Sequence, residues 1–148
     1  MQILLTINRA TATFFILLFG LVSGCNSATE HLVSSQDAYH AAIKKIQPGD
    51  SIVLANGTWQ DFEILFAGKG TAKKPITLRA QTPGKVIISG ESNLRLAGEY
   101  LVVRDLVFKD GYTPTSSVIA FRKGKGEYAN HSRAVSYTHL TLPTIYSV

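Results

Sequence analysis

Short apolar runs separated by polar turns dominate the chain from residue 51 to residue 121. The turns between the runs are rich in Gly, Pro, Asn, Asp and Ser, and no long stretch with helical periodicity lies between them. The runs are 51–55, 58–66, 76–78, 86–88, 94–96, 101–103, 106–108 and 118–121. This alternation of short runs and turns predicts an all-β domain.

Related runs recur at similar intervals along the chain. Ile52 and Ile76 are 24 residues apart, Ile76 and Leu101 are 25 apart, and Val86 and Leu106 are 20 apart. A recurrence of ~20–25 residues without helices predicts a β-solenoid, in which each coil contributes short strands that stack on the next coil. An antiparallel sandwich is the alternative, and Asn56-Gly57 taken alone is a hairpin signal. Very short strands and turns of irregular length favour the solenoid.

One amphipathic segment, residues 34–46, precedes the strands. Its apolar residues at helical spacing are Tyr39, Ala42, Ile43 and Ile46. Ser34 or Ser35 can cap the N-terminus of a helix, and Pro48-Gly49 ends it. We expect this helix to cover the open end of the first coil, where unpaired backbone groups would otherwise promote aggregation.

The 45% hydrophobic content is unevenly distributed, because residues 14–22 form one apolar run. Arg9 precedes the run and small residues follow it, as in a signal peptide. The run is shorter than the ~20 residues that a membrane-spanning helix needs. Residues 21–25, LVSGC, resemble the lipobox of bacterial lipoproteins, which implies cleavage before Cys25 and acylation of its sulfur. A plain signal peptide with an incidental thiol is the alternative.

The expected organisation is therefore a lipoprotein signal peptide over 1–24, a polar tether over 25–33 and the domain over 34–135. The expected location is the bacterial periplasm, outer membrane or cell surface, with attachment to the membrane through the lipid.

The net charge of +5 hides an asymmetry along the chain. Residues 1–68 carry three basic and five acidic side chains, whereas residues 69–133 carry twelve basic and five acidic ones. A basic, repetitive surface suits a linear polyanion. The export signal favours an acidic polysaccharide over nucleic acid as that partner. Arg122, Lys123 and Lys125 form the densest basic group and are candidate substrate-binding residues; a solvated surface without a ligand is the alternative.

Several segments carry a family resemblance. Residues 48–59, PGDSIVLANGTW, are similar to the first coil of many right-handed parallel β-helix proteins. The segments 74–80, 83–86, 89–90, 94–101 and 108–111 (KPITLRA, PGKV, SG, LRLAGEYL and FKDG) resemble polysaccharide lyase family six, the group of alginate lyases and chondroitinase B. The resemblance runs from about residue 38 to residue 135 and covers only the beginning of the family's domain. It implies the N-terminal coils of a right-handed parallel β-helix with an N-terminal capping helix.

The resemblance also implies an activity. Members of the family cleave uronate polymers by β-elimination, with calcium held by Asn and Glu side chains, a Lys as base and an Arg at the leaving oxygen. No residue of this sequence matches those positions, so we assign no catalytic residue and no metal ligand. Glu91 and Glu99, eight residues apart, make a poor calcium site because no other oxygen ligands support them. His131 is expected to be a structural turn residue, since no partner for a proton relay is evident.

We therefore expect the N-terminal part of an alginate or polymannuronate lyase, inactive by itself and monomeric. A dermatan- or chondroitin-type lyase and a non-catalytic polysaccharide-binding β-helix lipoprotein are the alternatives.

The last residues, 136–148, differ from the rest. They contain no Lys, Arg, Asp or Glu, and they resemble a peptide that occurs at the ends of unrelated gene models where adapter sequence has been read as coding. We predict a non-native tail. The alternative is a terminal strand that buries Leu140, Leu142 and Ile145.

Overall fold

The computed structural model describes residues 27–135, which form thirteen strands and one helix. The elements are β1 (Glu30–Val33), α1 (Gln36–Ile43), β2 (Ser51–Leu54), β3 (Gly57–Gln60), β4 (Glu63–Lys69), β5 (Ile76–Ala80), β6 (Val86–Glu91), β7 (Asn93–Glu99), β8 (Leu101–Arg104), β9 (Val107–Tyr112), β10 (Ile119–Ala120), β11 (Arg122–Gly124), β12 (Glu127–Asn130) and β13 (Arg133–Val135). The signal peptide, Cys25 and the tail 136–148 lie outside the described residues.

Three sheets run along the molecule. One has the strand order β1-β2-β5-β8-β13, the second has the order β3-β6-β9, and in the third β7 pairs with β4, β10 and β12. Each strand pairs in parallel with its counterpart in the next coil. Within residues 27–135 the hairpin β11–β12 is the one antiparallel pair. The predicted parallel β-helix is confirmed, and the sandwich alternative is wrong.

The register tests the predicted recurrence. Ile76 faces Leu101, which is the predicted pairing, but Ile52 faces Leu78 rather than Ile76. The Asn56-Gly57 hairpin is also absent, because β2 and β3 pair with β5 and β6 instead of with each other. Local turn residues therefore mark a bend in the coil and not a reversal of the chain.

Apolar side chains stack in register inside the coils. In the third sheet Ile64 lies over Leu94, and in the first sheet Ile52 lies over Leu78; all four side chains are fully buried. The same strands alternate inward and outward residues, as β5 shows with Ile76, Leu78 and Ala80 buried. Each coil thus buries its apolar side chains against its neighbours, which is the main source of stability in a solenoid.

The helix α1 covers the N-terminal end of this core, as predicted, although it is shorter than the segment 34–46. Its N-cap is Ser35, whose hydroxyl accepts a hydrogen bond from the Ala38 N–H at 3.2 Å. The fully buried Tyr39 donates its hydroxyl to the Leu65 carbonyl at 2.9 Å and packs edge-on against Phe62. Burial raises the pKa of the Tyr39 phenol. The neutral hydroxyl therefore anchors the helix to the first coil.

The expected tether is wrong for residues 30–33. These residues form β1, which pairs in parallel with β2 and begins the first sheet. The buried Asp50 carboxylate fixes this start by accepting hydrogen bonds from the Thr29 and Gln47 N–H groups, each at 2.9 Å. Burial disfavours the charged form, but these two hydrogen bonds and the His31 imidazole, 3.6 Å away, outweigh it and lower the pKa of Asp50. An ionised Asp50 thus joins the incoming chain to the first coil.

Nothing in residues 27–135 is a helix long and apolar enough to cross a membrane.

Candidate functional site

An open groove of about 500 Å³ lies beside the third sheet, between strands β4 and β7 and the hairpin β11–β12. This volume is within the range of about 300–1,000 Å³ that ligand clefts occupy. The groove is lined by Ala67, Gly68, Lys69, Ala97, Gly98, Lys123, Gly126, Glu127, Tyr128 and Asn130. The lining thus combines small residues with two lysines, a glutamate, a tyrosine and an asparagine, whose polar groups can bind a polar ligand.

Strands β4 and β7 form the floor of the groove. Ala67 pairs with Ala97 and Gly68 pairs with Gly98, so two rows of small residues lie side by side. Gly98 has a φ of 115°, and a Cβ atom there would collide with the Gly68 carbonyl oxygen. The backbone at this point therefore requires glycine, and no long side chain rises from it to fill the groove.

The hairpin β11–β12 forms one wall. Lys123 Nζ lies 3.5 Å from Glu127 Oε1 across the turn, and both side chains are about half exposed. Tyr128 follows Glu127 and exposes 57% of its surface. Strand β12 also pairs with β7, Ala129 facing Gly98, which fixes the hairpin against the floor.

Lys69 is the last residue of β4. It is far from the hairpin in sequence but lines the same groove. It is exposed, and it makes no ion pair within residues 27–135. The lining therefore carries two lysines and one glutamate, and its net charge is positive.

Of the three predicted substrate-binding residues, the structure places one in the groove. Lys123 lines it, whereas Arg122 and Lys125 are exposed and belong to neither this groove nor the two smaller clefts described next. Lys69, Tyr128 and Asn130 were not predicted from the sequence to be site residues. Lys69 is 54 residues from Lys123, and only the register of the coils brings the two segments together.

A second cleft lies where α1 meets the bend between β3 and β4. It is lined by Gln36, His40, Asp61, Glu63, Glu91 and Arg95. Arg95 Nη2 lies 3.2 Å from Glu63 Oε2, and Asp61 Oδ1 accepts the Glu91 N–H at 2.8 Å. These acidic groups are thus engaged in holding adjacent coils together.

Across the described range 27–135, no group of three or more His, Cys, Asp or Glu side chains is arranged to hold a metal ion. Glu91 ends β6 and Glu99 ends β7, which are strands of different sheets. Glu91 and Glu99, the two glutamates considered for a calcium site, therefore do not share one.

His131 lies in a turn, as predicted. It lies in the turn between β12 and β13 with a φ of 51°, and its ring stacks on Tyr100 with centroids 4.8 Å apart. Tyr100 occupies the equivalent turn one coil earlier and has a φ of 52°. The pair is therefore a ladder of stacked turn residues beside a third, smaller cleft.

The parallel coils, the capping helix and the cation-flanked groove define a β-helix protein with a surface suited to an acidic ligand. Comparison with known proteins specifies the family. The Chondroitinase B family model matches residues 33–142, and the chain belongs to that family. The match includes residues 136–142 of the tail, whose foreign origin stays a prediction.

Solved structures of lyases resemble the chain closely. The PL6 family alginate lyase AlyGC is 62% identical, with a TM-score of 0.72, over 73% of this chain and 15% of its own. A mannuronic acid specific polysaccharide family 6 lyase from human gut microbiota is 38% identical, with a TM-score of 0.66, over 74% of this chain and 26% of its own. A PL6 family polysaccharide lyase from Pseudopedobacter saltans is also 38% identical, with a TM-score of 0.59, over 70% of this chain and 24% of its own.

These alignments have a common limit. The chain spans only about a seventh to a quarter of the length of these relatives and corresponds to their N-terminal part. No curated protein matches the chain.

Proposed function

We propose that the chain is the N-terminal part of a polysaccharide lyase that cleaves uronate polymers, alginate or polymannuronate, by β-elimination. The observation that carries this proposal is the 62% identity to a PL6 family alginate lyase across most of the described residues. The mannuronic acid specific relative supports the same substrate class.

β-Elimination requires groups that the described coils do not bring together. The proton beside a uronate carboxylate is weakly acidic, so the carboxylate charge must be neutralised and a base must be held at the carbon. Residues 27–135 contain no fitting metal site, and we assign them no step of the elimination. Their proposed part is to start the β-helix and to contribute to binding the polymer. The catalytic groups and the calcium ligands are proposed to belong to coils outside these residues.

A chondroitin- or dermatan-type substrate is the second candidate, because the matching family model is that of Chondroitinase B. Both substrate classes are linear polymers with repeated uronate carboxylates. They differ in sulfation and in the second sugar, so a lyase assay on each polymer separates them.

We further propose that the protein is exported and attached to the membrane through Cys25. The support is the lipobox-like sequence at residues 21–25. Labelling with radioactive palmitate in a bacterial host tests it. The label is expected in the unaltered chain and absent from Cys25→Ser; label retained in Cys25→Ser would contradict acylation at this sulfur.

Independent sequencing past the codon for Val135, followed by expression of the reading frame found there, tests the lyase proposal. The longer product is expected to raise the ultraviolet absorbance of an alginate solution as unsaturated uronate forms. The 148-residue chain is expected to leave it unchanged. A confirmed stop codon after Val148, turnover by the 148-residue chain, or an inactive longer product would contradict the proposal.

A further inference from the structure

The hairpin groove, defined as the cavity between Lys69, Lys123, Tyr128 and Asn130, has a composition that the fold does not require. Exposed strands and turns need polar residues, but they do not need two cations from different coils and an exposed aromatic ring around one open cavity. Lys69 comes from β4 and Lys123 from β11, and both line the same space. This convergence indicates a ligand.

The charges indicate an anionic ligand. Lys69 has no ion-pair partner within residues 27–135, and the single anionic side chain of the lining, Glu127, contacts Lys123 at 3.5 Å. An exposed ion pair of this kind contributes little free energy. A carboxylate of the ligand can therefore replace Glu127 beside Lys123 at small cost, and Lys69 offers a second ammonium group.

The uncharged groups indicate a sugar. Tyr128 presents an apolar ring face with a polar hydroxyl, which suits a ring that has both C–H and O–H groups. The Asn130 amide can donate to and accept from hydroxyl groups. The floor of Ala67, Gly68, Ala97 and Gly98 keeps the groove open, so a polymer can lie across it without its ends being enclosed.

We propose that the hairpin groove is a binding site for one acidic sugar unit of a uronate polymer. Lys69 and Lys123 bind the carboxylate, Tyr128 packs against the sugar ring, and Asn130 hydrogen-bonds to hydroxyl groups. The choice of a uronate as ligand rests on the proposed function, whereas the choice of these four residues rests on the geometry of the groove. Arg122 and Lys125 are excluded from the site.

Calorimetric titration of the 148-residue chain with a mannuronate oligosaccharide tests the site. Lys123→Gln and Lys69→Gln are each expected to weaken binding about tenfold, the effect of losing one charge-assisted hydrogen bond. Lys125→Gln is the matched control, because it removes the same charge from the same hairpin outside the groove; it is expected to leave the Kd unchanged. Circular dichroism confirms that each variant is folded.

A second pair of variants separates the aromatic contact from charge. Tyr128→Ala is expected to weaken binding several-fold, whereas Phe121→Ala, which removes another exposed ring outside the groove, is expected to have no effect. The Kd is also expected to rise with salt, because the ligand is held partly by charge. Lys123→Arg, which keeps the charge, is expected to retain most of the affinity.

Three results would overturn the proposed site. They are no binding of the oligosaccharide by the folded chain, equal losses in Lys123→Gln and Lys125→Gln, and undiminished affinity for a neutral, esterified oligosaccharide. These outcomes are distinct from failure of the proposed function. If the longer product is active but Lys69→Gln and Lys123→Gln leave its affinity for the oligosaccharide unchanged, only the proposed binding site is contradicted. If the longer product is inactive but shows the predicted effects of the variants on binding, only the proposed lyase activity is contradicted.

Discussion

The two ends of the described solenoid are completed differently. At the N-terminal end α1 covers the first coil; its own Tyr39 is fully buried, and so are Phe62 and Ile64 of that coil. At the other end the inward residues Ile119 and Ala134 are only partly buried, and Val135 exposes 39% of its surface. Nothing within residues 27–135 covers that last coil.

This difference shows how a solenoid gains stability. Equivalent side chains in one ladder have different burial because α1 covers the first coil, whereas nothing within residues 27–135 covers the last one. Ile64, Leu94 and Ile119 lie in successive coils of the third sheet, yet only Ile64 and Leu94 are fully buried. Position along the solenoid, and not the amino-acid type, decides how much free energy such a residue contributes.

The largest expected effect comes from shortening the isoleucine side chain at either end of the Ile64–Leu94–Ile119 ladder. Ile64→Ala is expected to lower the free energy of unfolding by about 3–5 kcal/mol, because a fully buried side chain leaves a cavity. Ile119→Ala, the same change in the partly covered last coil, is expected to cost about 1 kcal/mol, since the site is half open already. Urea denaturation measures both, and equal losses would contradict the difference between the ends.

The floor of the hairpin groove supplies the next comparison. Gly98→Ala is expected to cost about 2–3 kcal/mol, because its Cβ would meet the Gly68 carbonyl and its φ is positive. Gly126→Ala, in the turn of β11–β12, has a positive φ but no atom within 4 Å of the added Cβ. It is expected to cost about 1 kcal/mol. Thermal denaturation ranks the two variants, and the reverse order would show that the floor is not tightly paired.

The hydrogen bond between Tyr39 of the capping helix and the Leu65 carbonyl can be removed by deleting one oxygen atom. Tyr39→Phe is expected to lower the free energy of unfolding by about 1 kcal/mol, because the Leu65 carbonyl loses its donor. Tyr112→Phe is the control, since Tyr112 is 60% exposed and its hydroxyl lies 3.4 Å from Glu91. It is expected to change the free energy little. An equally mild effect of both variants in urea denaturation would argue against a buried anchor in α1.

The last comparison concerns Asp50 and the dependence of stability on pH. Its pKa is lower in the folded chain than in the unfolded one, so its ionised form stabilises the fold at and above the ordinary Asp pKa of about 3.9. That contribution is lost as the pH falls through the folded-state pKa. Asp50→Asn is therefore expected to flatten the acid limb of a stability–pH curve.

Asp110→Asn is the control for Asp50→Asn, because Asp110 is exposed and has a single ion-pair contact, to Lys109 at 3.6 Å. It is expected to leave the acid limb in place. An unaltered limb in Asp50→Asn would remove the proposed role of Asp50 in fixing β1.

Much of the fold could be predicted because its signals are local. Strand runs, turn residues and the helix from Gln36 to Ile43 follow from apolar spacing, and the repeat length identified the parallel coils. Four strands lie outside the predicted apolar runs, namely β1, β11, β12 and β13. Strand β1 gains its structure from pairing with β2, and β11, β12 and β13 contain no fully buried residue.

The candidate site was predicted less well than the fold. A cluster of cations in sequence pointed to Arg122, Lys123 and Lys125. Arg122 and Lys123 are successive residues of strand β11, where side chains alternate between the two faces, and Lys125 lies in the turn, so only Lys123 lines the groove. Lys69 and Asn130 join it through the pairing of β4 and β12 with β7. The spacing of the apolar runs paired Ile52 with Ile76, two residues from its observed partner Leu78. An error of this size is enough to hide which residues of neighbouring coils lie side by side.

Hydrogen exchange followed residue by residue tests the central claim most directly, namely that the coils of residues 27–135 are covered at α1 and uncovered at β13. Amides of β2 and β5 are predicted to be the most protected, and protection is predicted to fall coil by coil toward β12 and β13. Equal protection of β13 and β2 in the 148-residue chain would contradict the claim, because it would show that the last coil is as stable as the first.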